Sequence, residues 1–343
     1  MLKRTLTALS LGLAAGLLLA AGYPSTEISN GQIHVKIYLP AKDRGFYHST
    51  RFDWSGVIGS LKYKDHDYYG AWWQKIDPNV YDFGYDGADV VSAPFTAGIG
   101  PMEEFQTDGG ALGYNEAQPG GTFIKIGVGV LRKPDNSKYD HSKAYEIVDP
   151  GKWSVKRSAN SVVFTQVLND PGSHYGYIYQ KTVRLIAGKP EMVLEHSLKN
   201  TGSLPIRSVV YDHNFLVLDK QPPGPDFSIT FPFQLQAKRA PAKELGEIRG
   251  NQLAYLKTLE GHDRMTATLA GFSDQAKDYD IRVENHKVGA GVEITGDRPL
   301  TNVGYWSIKT VLAVEPYIGM EIQPGDTFTW KLTYDYYTLP PGK

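Results

Sequence analysis

The chain has 343 residues, 36 of them basic and 37 acidic, a formal net charge of −1 with no block of like charge. That balance gives no sign of the basic surface a nucleic-acid partner needs. The absence of any cysteine excludes disulfides, iron–sulfur clusters, zinc–thiolate sites and cysteine nucleophiles, and leaves stability to the packed core.

Residues Met1–Gly22 differ from everything after them. Lys3 and Arg4 precede an apolar run, Leu9–Ala21, that ends in the small residues Ala20-Ala21-Gly22. This is the layout of a secretory signal peptide cleaved near Gly22, and the run is shorter than the roughly 20 apolar residues of a membrane-spanning helix. No cysteine follows it to carry a lipid. The expectation is an exported protein, periplasmic or secreted, with no stable membrane span after cleavage.

From there the chain reads as strands. Gln32–Leu39 alternates as a first strand, and Tyr47–Trp54 and Val57–Tyr63, separated by Ser55-Gly56, read as a hairpin with Arg51 in its first arm. Asp65–Tyr85, rich in Tyr, Trp, Asp and Gly, has no period and reads as a surface excursion of the kind that binds ligands. Ser92–Gly121 is punctuated by Gly and Pro and carries Glu103, Glu104 and Asp108, read as a solvated loop. Adjacent carboxylates on an extended chain point to opposite faces, so Glu103 and Glu104 make a poor catalytic pair.

Thr122–Leu131 alternates as a strand in which Gly127 and Gly129 permit close approach of another group. Lys152–Arg157 and Ser161–Leu168 form a hairpin-like pair. The centre of the chain follows: Tyr177–Ile186 and Glu191–Asn200 are consecutive strands, and Ile206–Val217 sets His213 among Val209, Val210, Phe215, Leu216 and Val217. An unpaired imidazole buried there would cost about 1–3 kcal/mol, so His213 requires a partner, protein or substrate. Pro222-Pro223-Gly224-Pro225 then forms a loop, Ala240–Arg249 hints at a short helix, and strands continue from Leu253 to Tyr336.

No internal repeat or linker divides the chain, so residues 23–343 read as one domain. Many strands, frequent Gly and Pro turns and almost no helical period point to an all-β, large antiparallel sandwich. The histidines show no metal-ligand spacing.

Three stretches in order carry a family likeness. They are Ser49-Thr50-Arg51-Phe52 with Leu61-Lys62-Tyr63; Tyr211-Asp212-His213-Asn214-Phe215 with Gly224-Pro225-Asp226; and Leu312-Ala313-Val314-Glu315-Pro316 with Ile322-Gln323-Pro324-Gly325-Asp326. Together they resemble the galactose mutarotase-like family, the aldose 1-epimerases. The resemblance implies a β-supersandwich that binds a carbohydrate and needs neither cofactor nor metal. It also implies His213 as catalytic acid, Glu315 as catalytic base and Arg51 as a substrate-binding residue.

Anomer interconversion needs an acid at the ring oxygen and a base at the anomeric hydroxyl, expected on opposite sides of the ring. Imidazole suits the acid because its pKa lies near working pH. Glu321, six residues beyond Glu315, is the lesser carboxylate. Asp212 beside the histidine is expected to touch substrate, as are Trp72 and Trp306, whose indole faces suit a pyranose; the Trp72-Trp73 pair in its polar, Tyr-rich loop is the best stacking candidate.

The chain departs from the family in two places. Asp212 stands where the family has Asn, and Asp108-Gly109-Gly110 occupies the region of its His-Gly-Gly motif. The reading is therefore an exported aldose 1-epimerase-like isomerase. A non-catalytic carbohydrate-binding protein and a polysaccharide lyase or hydrolase are the alternatives.

Overall fold

The computed structural model describes residues 22–107 and 110–340; the leader and the Asp108-Gly109 pair lie outside the described residues. Two antiparallel sheets dominate. A ten-stranded sheet runs in the order Lys152–Arg157, Ser161–Asp170, Tyr175–Leu185, Glu191–Asn200, Thr327–Thr338, Ala290–Gly296, Asp280–Asn285, Phe227–Thr230, Gln252–Tyr255, Gly246–Arg249. A six-stranded sheet runs Gln236–Arg239, Arg264–Ala270, Asn302–Ile308, Val311–Ile322, Ile206–Phe215, Gly100–Gln106. Among the described residues the helical pieces are two three-residue turns, Leu218–Lys220 and Ala276–Asp278.

Strand alternation builds the core. Along Arg264–Ala270, Met265, Ala267 and Leu269 are buried while Thr266, Thr268 and Ala270 face outward. Along Val311–Ile322, Leu312, Val314, Ile318 and Ile322 point inward against the second sheet. A period of two on both sheets sets two apolar faces together, which is the all-β sandwich expected from the sequence.

Several local expectations are corrected. Tyr47–Trp54 is not a strand: the Tyr47 hydroxyl accepts from the Phe52 N–H at 2.9 Å and from the Arg51 N–H at 3.3 Å, which curls the segment back on itself. Val57–Tyr63 pairs instead with Ile33–Tyr38. Thr122–Leu131 is broken into Thr122–Lys125 and Gly129–Arg132, because Gly127 takes a φ of 79° and closes a hairpin. A Cβ at Gly127 would lie 2.5 Å from Asp53 Oδ1, so the close approach expected there is made by a carboxylate.

The supposed solvated loop contains Gly100–Gln106, an edge strand of the six-stranded sheet in which Glu103 and Glu104 are both buried. The Asp65–Tyr85 excursion is partly core, with Tyr68, Tyr69 and Trp72 buried. It leads into a small sheet of Lys75–Ile76, Phe83–Asp86 and Asp89–Ser92 lying over the outer side of the six-stranded sheet. The helix hinted at in Ala240–Arg249 is absent, and Gly246–Arg249 is a strand.

Candidate active site

Register places the chemistry. The Ile206–Phe215 strand pairs antiparallel with Val311–Ile322, Tyr211 opposite Tyr317 and Leu216 bridged to Leu312. His213 and Glu315 therefore face each other across two strands, on the outer side of the six-stranded sheet. His213 Nε2 lies 3.1 Å from Glu315 Oε1, with side chains 5% and 15% exposed. The two groups stand in contact, not on opposite sides of a ring-sized gap as the sequence reading expected.

The surroundings hold both in place. The imidazole stacks on Phe215 at 3.9 Å between centroids and meets Phe52 and Trp306 edge-on at 5.7 and 5.6 Å. On the other flank of Glu315 the register partner is Gly304, where a Cβ would lie 2.5 Å from Glu315 Oε2. Any larger residue would push the carboxylate away from His213.

Arg51 reaches the same face from its curled segment. Its Nε donates to Glu104 Oε2 at 2.8 Å, Nη2 to the Tyr211 hydroxyl at 3.2 Å, and Nη1 lies 3.3 Å from Asp82 Oδ2. Lys125 Nζ donates to Glu104 Oε1 at 3.2 Å, and the Tyr211 hydroxyl donates to Glu104 as well. Burial alone would raise the Glu104 pKa, but Lys125 and Arg51 outweigh it and hold the carboxyl well below the usual range. Burial lowers the Lys125 pKa despite that carboxylate. Tyr211 in turn stacks on Tyr317 at 4.3 Å, so Arg51, Glu104, Tyr211 and Tyr317 form one wall beside the His213–Glu315 pair.

Asp212 is a correction. Consecutive residues on a strand face opposite ways, so the neighbour of His213 points between the sheets. There it joins Asp53, Glu103, Lys181 and His196, all buried. Lys181 Nζ bonds to Glu103, His196 Nε2 lies 2.7 Å from Glu103 Oε1, and the Tyr179 hydroxyl donates to Asp53 at 3.0 Å. Burial, reinforced by Glu103, raises the Asp212 pKa well above the carboxylate range. Burial raises Asp53 to about 7, whereas Lys181 and His196 outweigh burial at Glu103 and hold it at about 2. Asp212 is an interior group, out of reach of a ligand beside His213.

Trp72 is a second correction. It is buried, its Nε1–H donates to the Gly98 carbonyl at 2.9 Å, and its ring stacks on Phe215 at 5.9 Å, which makes it packing behind the histidine. Trp306 is half-buried and meets His213 directly. Glu321 pairs with Arg207 at 2.9 Å on the surface, away from the pair.

Sequence reasoning missed Glu104, Lys125, Tyr211 and the interior cluster. A signal existed for the last: Lys181 and His196 occupy inward positions of strands whose other inward residues are Tyr177, Tyr179, Val183, Leu194 and Leu198. A charge in an apolar row implies a buried partner on the facing sheet. Among the described residues no group of three or more His, Asp or Glu side chains is arranged to hold a metal ion, and no helix is long and apolar enough to cross a membrane.

No family model and no curated protein sequence matches the chain. Solved structures do. An aldose 1-epimerase candidate from Escherichia coli K12 superposes with a TM-score of 0.54 at 13% identity, over 93% of this chain and 100% of that one. An aldose epimerase homologue from C. elegans gives 0.52 at 11% identity, with 93% and 100% covered. A galactose mutarotase related enzyme from Lactobacillus acidophilus gives 0.50 at 14% identity, with 93% and 99% covered. The chain has the galactose mutarotase-like β-sandwich fold.

Proposed function

We propose that this protein is an exported carbohydrate isomerase that interconverts sugar anomers, with His213 as acid and Glu315 as base. The observation that carries the reading is the 3.1 Å contact of His213 with Glu315 on the outer sheet face, beside Arg51. The two oxygens an anomerase must serve share one carbon, so neighbouring acid and base reach both from one side. His213 gives its proton to the ring oxygen as the C1–O bond breaks, and Glu315 takes the proton of the anomeric hydroxyl. The open-chain aldehyde rotates. On closure the ring hydroxyl attacks the other face of C1, returns its proton to His213, and Glu315 reprotonates the anomeric oxygen. Arg51, already bonded through Nε to Glu104 and through Nη1 and Nη2 to Asp82 and Tyr211, has its remaining Nη hydrogens to offer a sugar hydroxyl.

Export through cleavage near Gly22 belongs to the same proposal, and the mass of the mature protein recovered from its host tests it. A sugar-binding protein without turnover is the second reading. It is favoured by the direct His213–Glu315 contact, which leaves neither group free until a ligand parts them.

Exchange NMR across free aldoses and uronic acids, on wild type, His213→Gln and Glu315→Gln, separates the two. Acceleration by wild type, lost in both folded variants, supports the isomerase. Saturable binding with no acceleration overturns it in favour of the binding protein.

A further inference from the structure

The two halves of the outer sheet face differ. Over Gly100–Gln106 and Ile206–Phe215 the outward residues Met102 and Phe215 are buried beneath Phe52, Trp54 and Trp72. Over Val311–Ile322, Asn302–Ile308 and Arg264–Ala270 the cover stops partway: Val311, Ala313 and Ile308 are buried and Phe83 of the small sheet meets Trp306 at 5.5 Å, whereas Tyr317, Asn302, Thr266 and Thr268 are half-buried. His213 and Glu315 sit on the line between the closed half and the open half.

Register gives the open half a direction. Glu315 is opposite Gly304, Gly304 opposite Thr268, and Thr268 opposite Arg239 on the edge strand. That row crosses three inter-strand spacings of about 4.8 Å, roughly 14 Å, which is longer than one pyranose ring. Gly304 leaves room for the Glu315 carboxylate, which lies over it and forms part of the floor of the row. Asn302 and Tyr317 rise on one side, and Trp306 with Thr266 on the other. Between Arg264 and Glu321 at its margins and Arg239 at its far end, the strip carries no charged side chain except Glu315. Indole and phenol faces interspersed with amide and hydroxyl groups match the C–H faces and hydroxyls of an uncharged glycan.

We propose that the open strip is a binding groove for a neutral oligosaccharide, whose reducing-end unit sits at His213 and Glu315 and whose remaining units leave across Gly304 and Thr268 toward Arg239. The inference rests on the anomer-isomerase reading and names its substrate class. With one end blocked by the Phe52 and Trp72 packing, the groove takes a chain terminus; an internal segment of a polymer would need both ends open.

The test compares glucose with α-1,4- and β-1,4-linked glucose disaccharides and trisaccharides. Anomer exchange is followed by NMR and binding by calorimetry, on wild type and on the double variant Thr268→Val with Asn302→Leu. Both substitutions remove polar groups on an open sheet face with little change in volume. The expected result is a kcat/KM at least tenfold higher for one oligosaccharide series than for glucose, with that ratio falling at least fivefold in the double variant. Turnover of glucose and oligosaccharides at equal kcat/KM, unmoved by the variant, overturns the groove while leaving the isomerase reading intact. If no sugar is turned over, the isomerase reading fails, and calorimetry decides the groove alone. Affinity that rises with chain length and drops in the variant supports it, and affinity independent of length overturns it.

Discussion

Glu103 and Glu104, adjacent in the chain, carry their carboxylates to opposite faces of one strand. Glu104 pairs with Arg51 and Lys125 on the site face, and Glu103 pairs with Lys181 and His196 between the sheets. Each carboxylate is buried, so removing its charge strands the cations around it at a cost of about 3–5 kcal/mol. Both Glu103→Gln and Glu104→Gln are therefore expected to lower the urea midpoint substantially. Only Glu104→Gln is expected to raise KM as well, because it releases Arg51. Equal KM values in the two variants would remove Glu104 from any role in positioning Arg51.

Gly304 is required by the Glu315 carboxylate lying over it. Gly304→Ala is expected to cost about 1–3 kcal/mol through overpacking and to cut turnover at least tenfold by displacing the base from His213. The check is anomer exchange on a variant whose circular dichroism matches wild type. Unchanged turnover would mean that the Glu315 position does not limit the reaction.

The interior cluster predicts a pH signature. Asp53 is held at about 7, above its unfolded value, so its contribution to stability is full below about pH 4 and is lost as pH rises through about 7. The loss is on the order of 4 kcal/mol. Burial lowers the His196 pKa, which works in the opposite direction across the same range, since the unfolded chain takes up that proton first. Comparison with Asp53→Asn separates the two: relative to this variant, wild type is expected to lose stability steadily between pH 4 and 7 in urea titrations. A pH-independent difference would show that Asp53 titrates normally. Glu103, held at about 2, contributes stability above its unfolded pKa that is lost as pH falls through about 2.

The two tryptophans should part company. Trp72→Ala empties a buried site and is expected to cost about 3–5 kcal/mol, with ligand affinity unchanged in the protein that remains folded. Trp306→Ala, at a half-exposed position, is expected to weaken sugar binding several-fold with a smaller loss of stability. Thermal melts and calorimetric titrations on both variants distinguish packing from recognition, and a reversed pattern would exchange their roles.

Sequence by itself determined the all-β class and the central strands, because a period of two along Glu191–Asn200 or Met265–Leu269 is a local property of the chain. It also singled out the segments bearing His213, Glu315 and Arg51, through their resemblance to the galactose mutarotase-like family and, for His213 and Glu315, through the apolar runs beside them. Tertiary structure alone decided which faces meet. The registers that set Glu315 against His213 and Gly304, that turn Asp212 inward beside Glu103, and that bury Glu104 under Arg51 join segments 53 to 160 residues apart along the chain for Arg51 with Glu104 and Tyr211. No local pattern encodes such pairings. A shift of one residue in register would exchange every inward and outward side chain, and only the packing of two complete sheets selects between those alternatives.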